Sequence, residues 1–247
     1  MGYEFLSRIR YSECDQHEKL TLEHLADYFQ DCTVFHDAEV GLGMHYWAQK
    51  HQMWVLTSWK ILIFRRPICG EMVKVRTDAI LCKGFKGLRN FTLRDENGHM
   101  LAAAFSKWAL LDTLTGRPVR ILPEEGDAYG RTEPLPIDTD NGRIEVPEEA
   151  ASLDPIEIQV HHLDSNRHVN NAQYIRMVEG CLPKGFEVRS MRVSYHRSAA
   201  LGDTIYPKIS VSEHQVTGVL ADAQGEPFVY FEFLDSVSEN DAKVETL

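Results

Sequence analysis

One order of elements occurs twice along this chain, and the repeat limits the folds open to it more than any other feature. The first occurrence opens on Arg8-Ile9-Arg10-Tyr11-Ser12-Glu13-Cys14-Asp15, the second on Glu157-Ile158-Gln159-Val160-His161-His162-Leu163-Asp164. Each reads as a β-rich alternation that reaches an aspartate in a loop. A helical stripe follows both. Leu22, Leu25, Phe29, Cys32 and Phe35 recur at spacings of three and four, with Thr21 as N-cap. Tyr174, Val178 and Cys181 do the same after Asn170 or Asn171, until Pro183 and Gly185 stop the helix. Strands come next. Ile61-Leu62-Ile63-Phe64-Arg65-Arg66-Pro67 resembles Arg192-Val193-Ser194-Tyr195-His196-Arg197-Ser198, with turns at Gly70-Glu71 and Gly202-Asp203. Each copy closes on a hairpin signal, Asp95-Glu96-Asn97-Gly98 in one and Asp222-Ala223-Gln224-Gly225 in the other.

The unit is therefore strand, loop, one long helix and several antiparallel strands, an α+β arrangement. One helix covers a broad sheet only if the sheet curls around it. Two such units could also pair edge to edge and so hide their edge strands. The expected division is an N-terminal domain over 1–130, a linker over 131–150 rich in Pro, Gly and polar residues, a C-terminal domain over 151–235, and a polar tail over 236–247 expected to fray. A chain of 247 residues has room for two cores of this size.

The net charge of −11 disfavours non-specific binding to nucleic acid or to an anionic membrane. Five cysteines, odd in number, widely spaced and without a CxxC pair, read as free thiols in a reducing compartment rather than a zinc site. The start lacks a secretory pattern, and no apolar run nears the roughly 20 residues of a membrane span, so a cytoplasmic protein is expected. Charge is uneven, however. Between Lys60 and Arg94 nine basic residues meet only Glu71 and Asp78 as acids. Arg65, Arg66 and Lys86 are candidates for docking an acidic partner. The first copy also carries an insertion, in which Met44, Trp47 and Trp54 are candidates for lining an apolar ligand tunnel.

The copies differ in the loop after the aspartate. The first reads Gln16-His17-Glu18-Lys19; the second reads Ser165-Asn166-Arg167-His168, then Val169-Asn170-Asn171. If the loop is extended, alternate side chains project to one side, and Asp164, Asn166 and His168 converge beside a helix N-terminus. That set suits hydrolysis of a thioester. A carboxylate or imidazole can act as general base on water. An amide or a helix-terminal N–H can hold the oxyanion. No metal or cofactor is needed.

The segment Leu163-Asp164-Ser165-Asn166-Arg167-His168-Val169-Asn170-Asn171-Ala172-Gln173-Tyr174-Ile175 resembles the acyl-ACP thioesterases of plants and bacteria. The likeness extends to the paired repeat, the Trp59-to-Gly70 strand and turn, and Trp108-Ala109-Leu110-Leu111-Asp112. It implies two tandem hotdog folds, each a long helix wrapped by a curved antiparallel sheet, together a pseudo-dimer. A further homodimer remains open. It also implies that the N-terminal hotdog binds the acyl chain and that Asp164, Asn166 and His168 are catalytic. The partner would be acyl carrier protein bearing an acyl-phosphopantetheine. Plant members carry a Glu-Cys pair after the Tyr-Arg-Arg strand. Here Ser198 and Ala199 stand there, which removes a cysteine nucleophile and leaves Ser198 as a substrate-contact candidate. Direct attack by water, with Asp164 as base, is the expected route. An acyl-CoA hydrolase and a non-catalytic acyl binder are the alternatives. A hotdog dehydratase fits the loop less well.

Overall fold

A computed structural model describes residues 2–139 and 142–247; Asp140 and Asn141, within the expected linker, and Met1 lie outside the described residues. The chain forms two compact units, 1–138 with 238–247, and 139–237.

The N-terminal unit contains β1 (Tyr3–Arg8), α1 (Leu22–Glu39), α2 (Met44–Gln49), β2 (Gln52–Ile63), β3 (Met72–Lys83), β4 (Lys86–Asp95), β5 (Met100–Asp112) and α3 (Pro123–Ala128). Its strands run antiparallel in the order β1-β3-β4-β5-β2. Thr21 caps α1 as expected, its hydroxyl accepting from His24 N–H. Leu22, Leu25, Phe29 and Cys32 are buried in the helix stripe, and Phe29 packs at a tilt against Phe91, 5.3 Å between ring centroids. Trp59 closes the cluster against Phe91 at 5.1 Å. Burying one such ring contributes about 1.5–3 kcal/mol. Phe35, expected in the same stripe, is 43% exposed. It lies at the sheet's margin, its ring edge-on to Tyr3 and Phe5 of the edge strand β1.

The C-terminal unit contains β6 (Ala151–Ser152), β7 (Ile156–Glu157), α4 (Asn171–Glu179), β8 (Ser190–Tyr195), β9 (Thr204–Val211), β10 (Gln215–Ala221) and β11 (Pro227–Leu234). β8, β11, β10 and β9 pair antiparallel in that order, and the two short strands β6 and β7 pair with β9. α4 is half as long as α1, with 9 residues against 18. It ends at Gly180, so Cys181, expected on the helix, falls in the following turn, its thiol on the Met177 carbonyl.

Both expected hairpins form, and by the same device. Asp95 accepts from the N–H of Asn97 and His99, and Gly98 takes φ 86°. Asp222 accepts from Gln224 and Glu226, and Gly225 takes φ 85°. An Asx turn followed by a left-handed glycine reverses the chain in each.

The tail departs from expectation. α5 (Glu239–Ala242) and the 3-10 turn Lys243–Thr246 fold back as part of the N-terminal unit. Val244 is fully buried, and Asp241 pairs with Lys60 at 3.2 Å while accepting from Asp138 N–H. A segment that reads as polar is held by one buried valine and one carboxylate whose partner is distant in sequence.

Candidate active site

The two post-aspartate loops share one backbone pattern, offset by 149 residues. In the first, Asp15 N–H donates to the Lys19 carbonyl, Glu18 N–H to the Asp15 carbonyl, and Thr21 N–H to Glu13. In the second, Asp164 N–H donates to His168, Arg167 N–H to Asp164, and Asn170 N–H to His162. Glu18 and Arg167 both adopt left-handed φ, 61° and 63°. The loop is thus a tight turn, not the extended segment expected. The aspartate imposes this. Asp15 Oδ1 accepts from the N–H of His17 at 2.8 Å and of Lys19 at 3.1 Å. Asp164 Oδ1 accepts from Asn166 at 2.8 Å and from His168 at 3.3 Å. One carboxylate oxygen in each copy is spent on local structure.

The strand beyond the helix repeats with an offset of 132. Leu20 N–H reaches the Pro67 carbonyl and Val169 N–H the Ala199 carbonyl. Lys19 bridges Ile68 and His168 bridges Ala200. Arg66 therefore corresponds to Ser198, one residue away from the alignment the strand sequences imply. The consequence falls on the second carboxylate oxygen. Arg66 donates to Asp15 Oδ2 at 2.9 Å. At Asp164, Oδ2 meets only the Asn166 amide, at 3.4 Å, among the described residues.

Electrostatics follow. Burial alone would raise the Asp15 carboxyl, but the N–H groups of Lys19 and His17 and the Arg66 guanidinium outweigh it and hold it low. Burial lowers His162, with repulsion from His161 and Arg176 adding to it. Asn166, His168 and Ser198 are exposed and Asp164 is half-buried. The structure brings Asp164 and Asn166 together through their side chains. His168 joins them through its backbone, and its imidazole makes no hydrogen bond among the described residues.

Two tyrosines, missed in the sequence, frame this turn. Tyr174 on α4 is buried, and its hydroxyl accepts from Ala199 N–H at 2.8 Å. Burial pushes its phenol up to about 12, which keeps it neutral. Tyr195 on β8 donates to the Asn171 carbonyl at 3.1 Å. Asn170 caps α4 by accepting from Ala172 N–H. The strand end is so tied to the helix start, beside Asp164. Both tyrosines read in sequence as ordinary core aromatics, and only the pairing of strand and helix gives their hydroxyls work.

The remaining candidates separate. Trp54 lines a small pocket between α1 and the N-terminal sheet, with Leu81, Leu88, Trp108 and Tyr129, and Thr33, Asp37 and Arg89 also line it. Trp47 is buried beside it against Leu42, Ile121 and Tyr129. Met44 is 63% exposed and stands apart. Arg65 is held by Glu71 in a two-point contact, 2.9 and 2.6 Å, and Arg66 by Asp15. Lys86 is exposed, its ammonium 5.5 Å from the Phe85 ring centroid. Among the described residues, Glu23, His24 and Asp27 approach one another closely enough to hold an ion. They lie on α1, and acids on a helix commonly cluster without one.

Comparison with known proteins adds the family. The acyl-ACP thioesterase N-terminal domain matches residues 3–129, and the C-terminal domain of that family matches 145–227. The chain is 26% identical over 226 residues to a chloroplastic palmitoyl-acyl carrier protein thioesterase of Gossypium hirsutum, covering 83% of this chain and 54% of that protein. It is 25% identical over 240 residues to an oleoyl-acyl carrier protein thioesterase of Arabidopsis thaliana, covering 88% and 65%. The chain spans about half to two-thirds of the length of these relatives. An acyl-ACP thioesterase of Bacteroides thetaiotaomicron superposes with a TM-score of 0.86 at 22% identity, covering 94% of this chain and 97% of that one. The 12:0-ACP thioesterase of Umbellularia californica gives 0.84 at 20%, covering 94% and 96%. At those identities the structures establish the fold, which is the expected hotdog architecture.

Proposed function

This chain belongs to the acyl-ACP thioesterase family, and from that premise we propose that it hydrolyses fatty acyl thioesters carried on acyl carrier protein, releasing free fatty acid. The observation that carries the reading is the second oxygen of Asp164. Its counterpart on Asp15 is neutralised by Arg66, whereas Asp164 Oδ2 faces a weak amide contact and an exposed loop. A water held between Asp164 Oδ2 and Asn166 attacks the thioester carbonyl carbon as its proton passes to the carboxylate. The carbonyl oxygen becomes an oxyanion. Donors at this end of the turn and helix stabilise it, each contributing about 10²–10³-fold in comparable sites. Collapse breaks the C–S bond. The departing thiolate takes that proton from Asp164, directly or relayed through His168, which returns the base to its starting state.

No cysteine enters. Ala199 is buried and offers no nucleophile where a Glu-Cys pair would place one. Cys181, in the turn after α4, donates its thiol hydrogen to the Met177 carbonyl. Trp54 and the apolar walls of the N-terminal pocket receive the acyl chain.

A thiol-release assay on purified protein tests this. Turnover of acyl-ACP should fall about 10²–10⁴-fold in Asp164→Ala and in His168→Ala. Unchanged turnover in both rejects the site. Acyl binding without thiol release by the unaltered protein rejects hydrolysis and leaves an acyl binder.

A further inference from the structure

We propose that Lys83, Lys86 and Lys107, with Phe85 at the hairpin tip, form the surface on which an acidic carrier protein docks; the proposal rests on the thioesterase reading above. The protein carries a net charge of −11, so an acidic partner is repelled everywhere except where a local face reverses the sign. The basic run from Lys60 to Arg94 is the obvious source, but most of it is paired with carboxylates of the same chain. Lys60 is taken by Asp241, Arg65 by Glu71 and Arg66 by Asp15. Lys74 and Arg76 are taken by Glu4 and Asp78, and Arg89 by Asp37. Arg94 donates to the Gly98 carbonyl.

Among the described residues, Arg94 keeps its charge at the far end of β4, and Lys83 and Lys86 are the other members of the run with no carboxylate partner. They sit at the two ends of the β3–β4 turn, directly opposite each other in register. Directly paired residues share a face of the sheet, and alternate residues along a strand return to it. Leu88 pairs with Lys107 of β5, so Lys107 lies on the same face one step further in. All three lysines are exposed, and among the described residues no carboxylate lies within ion-pairing distance of any of them. In the neighbouring α3, Glu125 is turned to Tyr46 and Lys50, while the exposed Glu124 and Asp127 make no ion pair among the described residues. Like charges directly opposite in a sheet are destabilising. The fold retains one such pair, with no carboxylate in ion-pair contact among the described residues, at a tip that also presents a 42% exposed phenylalanine. An apolar anchor ringed by like charges is the composition of a docking site for an oppositely charged protein. The same two strands then supply Leu81, Cys82, Gly87 and Leu88 to the pocket proposed for the acyl chain.

The test compares Lys83→Glu/Lys86→Glu, Lys107→Glu and Arg65→Glu on acyl-ACP and on acyl-pantetheine, which has the same thioester and no protein. The double variant should lose about 10-fold or more in kcat/KM on acyl-ACP at low salt. The loss should shrink as salt rises, and acyl-pantetheine should be unaffected. Lys107→Glu should follow with a smaller loss, and Arg65→Glu should leave the ratio of the two substrates unchanged. Equal losses on both substrates, no loss in the double variant, or the same substrate-specific loss in Arg65→Glu each overturn the proposal. Should the unaltered protein release no thiol from either substrate, the thioesterase reading fails. Titration with holo-ACP then decides the docking surface, and binding that ignores the double substitution overturns it.

Discussion

Asp15 and Asp164 stand at the same point of the same turn, one in each half of the chain. Each turns one oxygen inward to two backbone N–H groups. Each turn passes through a left-handed non-glycine residue and enters a capped helix. They part at the second oxygen, where Arg66 closes the first and Ser198 leaves the second open. The backbone alone therefore does not make this site. A hydroxymethyl stands at Ser198 where a guanidinium neutralises Asp15, and among the described residues Asp164 keeps no cationic partner. The flanking substitutions, His17 to Asn166 and Lys19 to His168, then supply an amide and an imidazole.

The sharpest way to break this comparison is to make the second copy like the first. Ser198→Arg should rebuild the Arg66–Asp15 pair across Asp164 and lower kcat by about 10²-fold or more, the size of effect expected for a neutralised general base. Its thermal stability should hold or rise, since a partner is gained. Ser198→Ala should retain most of the activity. An active Ser198→Arg protein would show that Asp164 Oδ2 is not the working atom. The reciprocal Arg66→Ser should leave kcat intact and cost about 1–3 kcal/mol of stability, because a partly buried acceptor loses its charged donor.

The repeat itself, the helix caps and both hairpins are legible in the sequence, because they depend on residues within a few positions of one another. Phe35 keeps the helical spacing and is still exposed, since spacing cannot say where the sheet stops. The loop reads as extended because its alternation of Asp, Asn and His hides the Asx turn that one side chain imposes. The one-residue shift that sets Ser198 opposite Arg66 depends on which carbonyls Leu20 and Val169 reach. Asp164, Asn166 and His168 are thus visible as a set, whereas the feature that distinguishes Asp164 from Asp15 lies 34 residues further on and appears only in three dimensions. Arg65 and Arg66 show the same limit: a basic run shows charge but not Glu71 and Asp15, the carboxylates folded against it.

The helices extend the comparison to stability. In the N-terminal unit, burial pushes Asp27 on α1 up to about 7, and repulsion from Glu23, Asp31 and Glu13 adds to it. Burial also pushes Asp37 up to about 6 against the pull of Arg89. A carboxyl raised in the folded state binds protons more tightly there than when unfolded. Its contribution is full below the unfolded value of 3.8 and is lost as pH rises through about 7. In the C-terminal unit the sign reverses at Asp222, where Arg197 and two backbone N–H groups outweigh desolvation and hold the carboxyl low. Asp27→Asn should therefore flatten the fall in Tm between about pH 4 and 7 and raise stability at pH 8, by at most about 4 kcal/mol for a shift near three pKa units. Parallel Tm profiles for the two proteins would remove Asp27 from this account.

The smallest effect separates shape from chemistry. Glu18 and Arg167 hold the same left-handed backbone, at φ 61° and 63°, where a side chain costs about 1–2 kcal/mol relative to glycine. Glycine removes that strain but adds freedom to the unfolded chain, worth about 0.4–1 kcal/mol in the other direction. Glu18→Gly and Arg167→Gly should thus shift stability by similar amounts, less than about 1 kcal/mol each and weakly stabilising. Their effects on turnover should differ. The first turn touches no proposed catalytic atom, so Glu18→Gly should leave kcat unchanged. Arg167 lies between Asn166 and His168, and a freer backbone there spreads the orientations of both beside Asp164. A modest fall in kcat for Arg167→Gly, with Tm matched to Glu18→Gly, would show that the strained turn is kept in the second copy to aim its side chains. Equal kcat in the two variants would make the turn a structural inheritance in both copies.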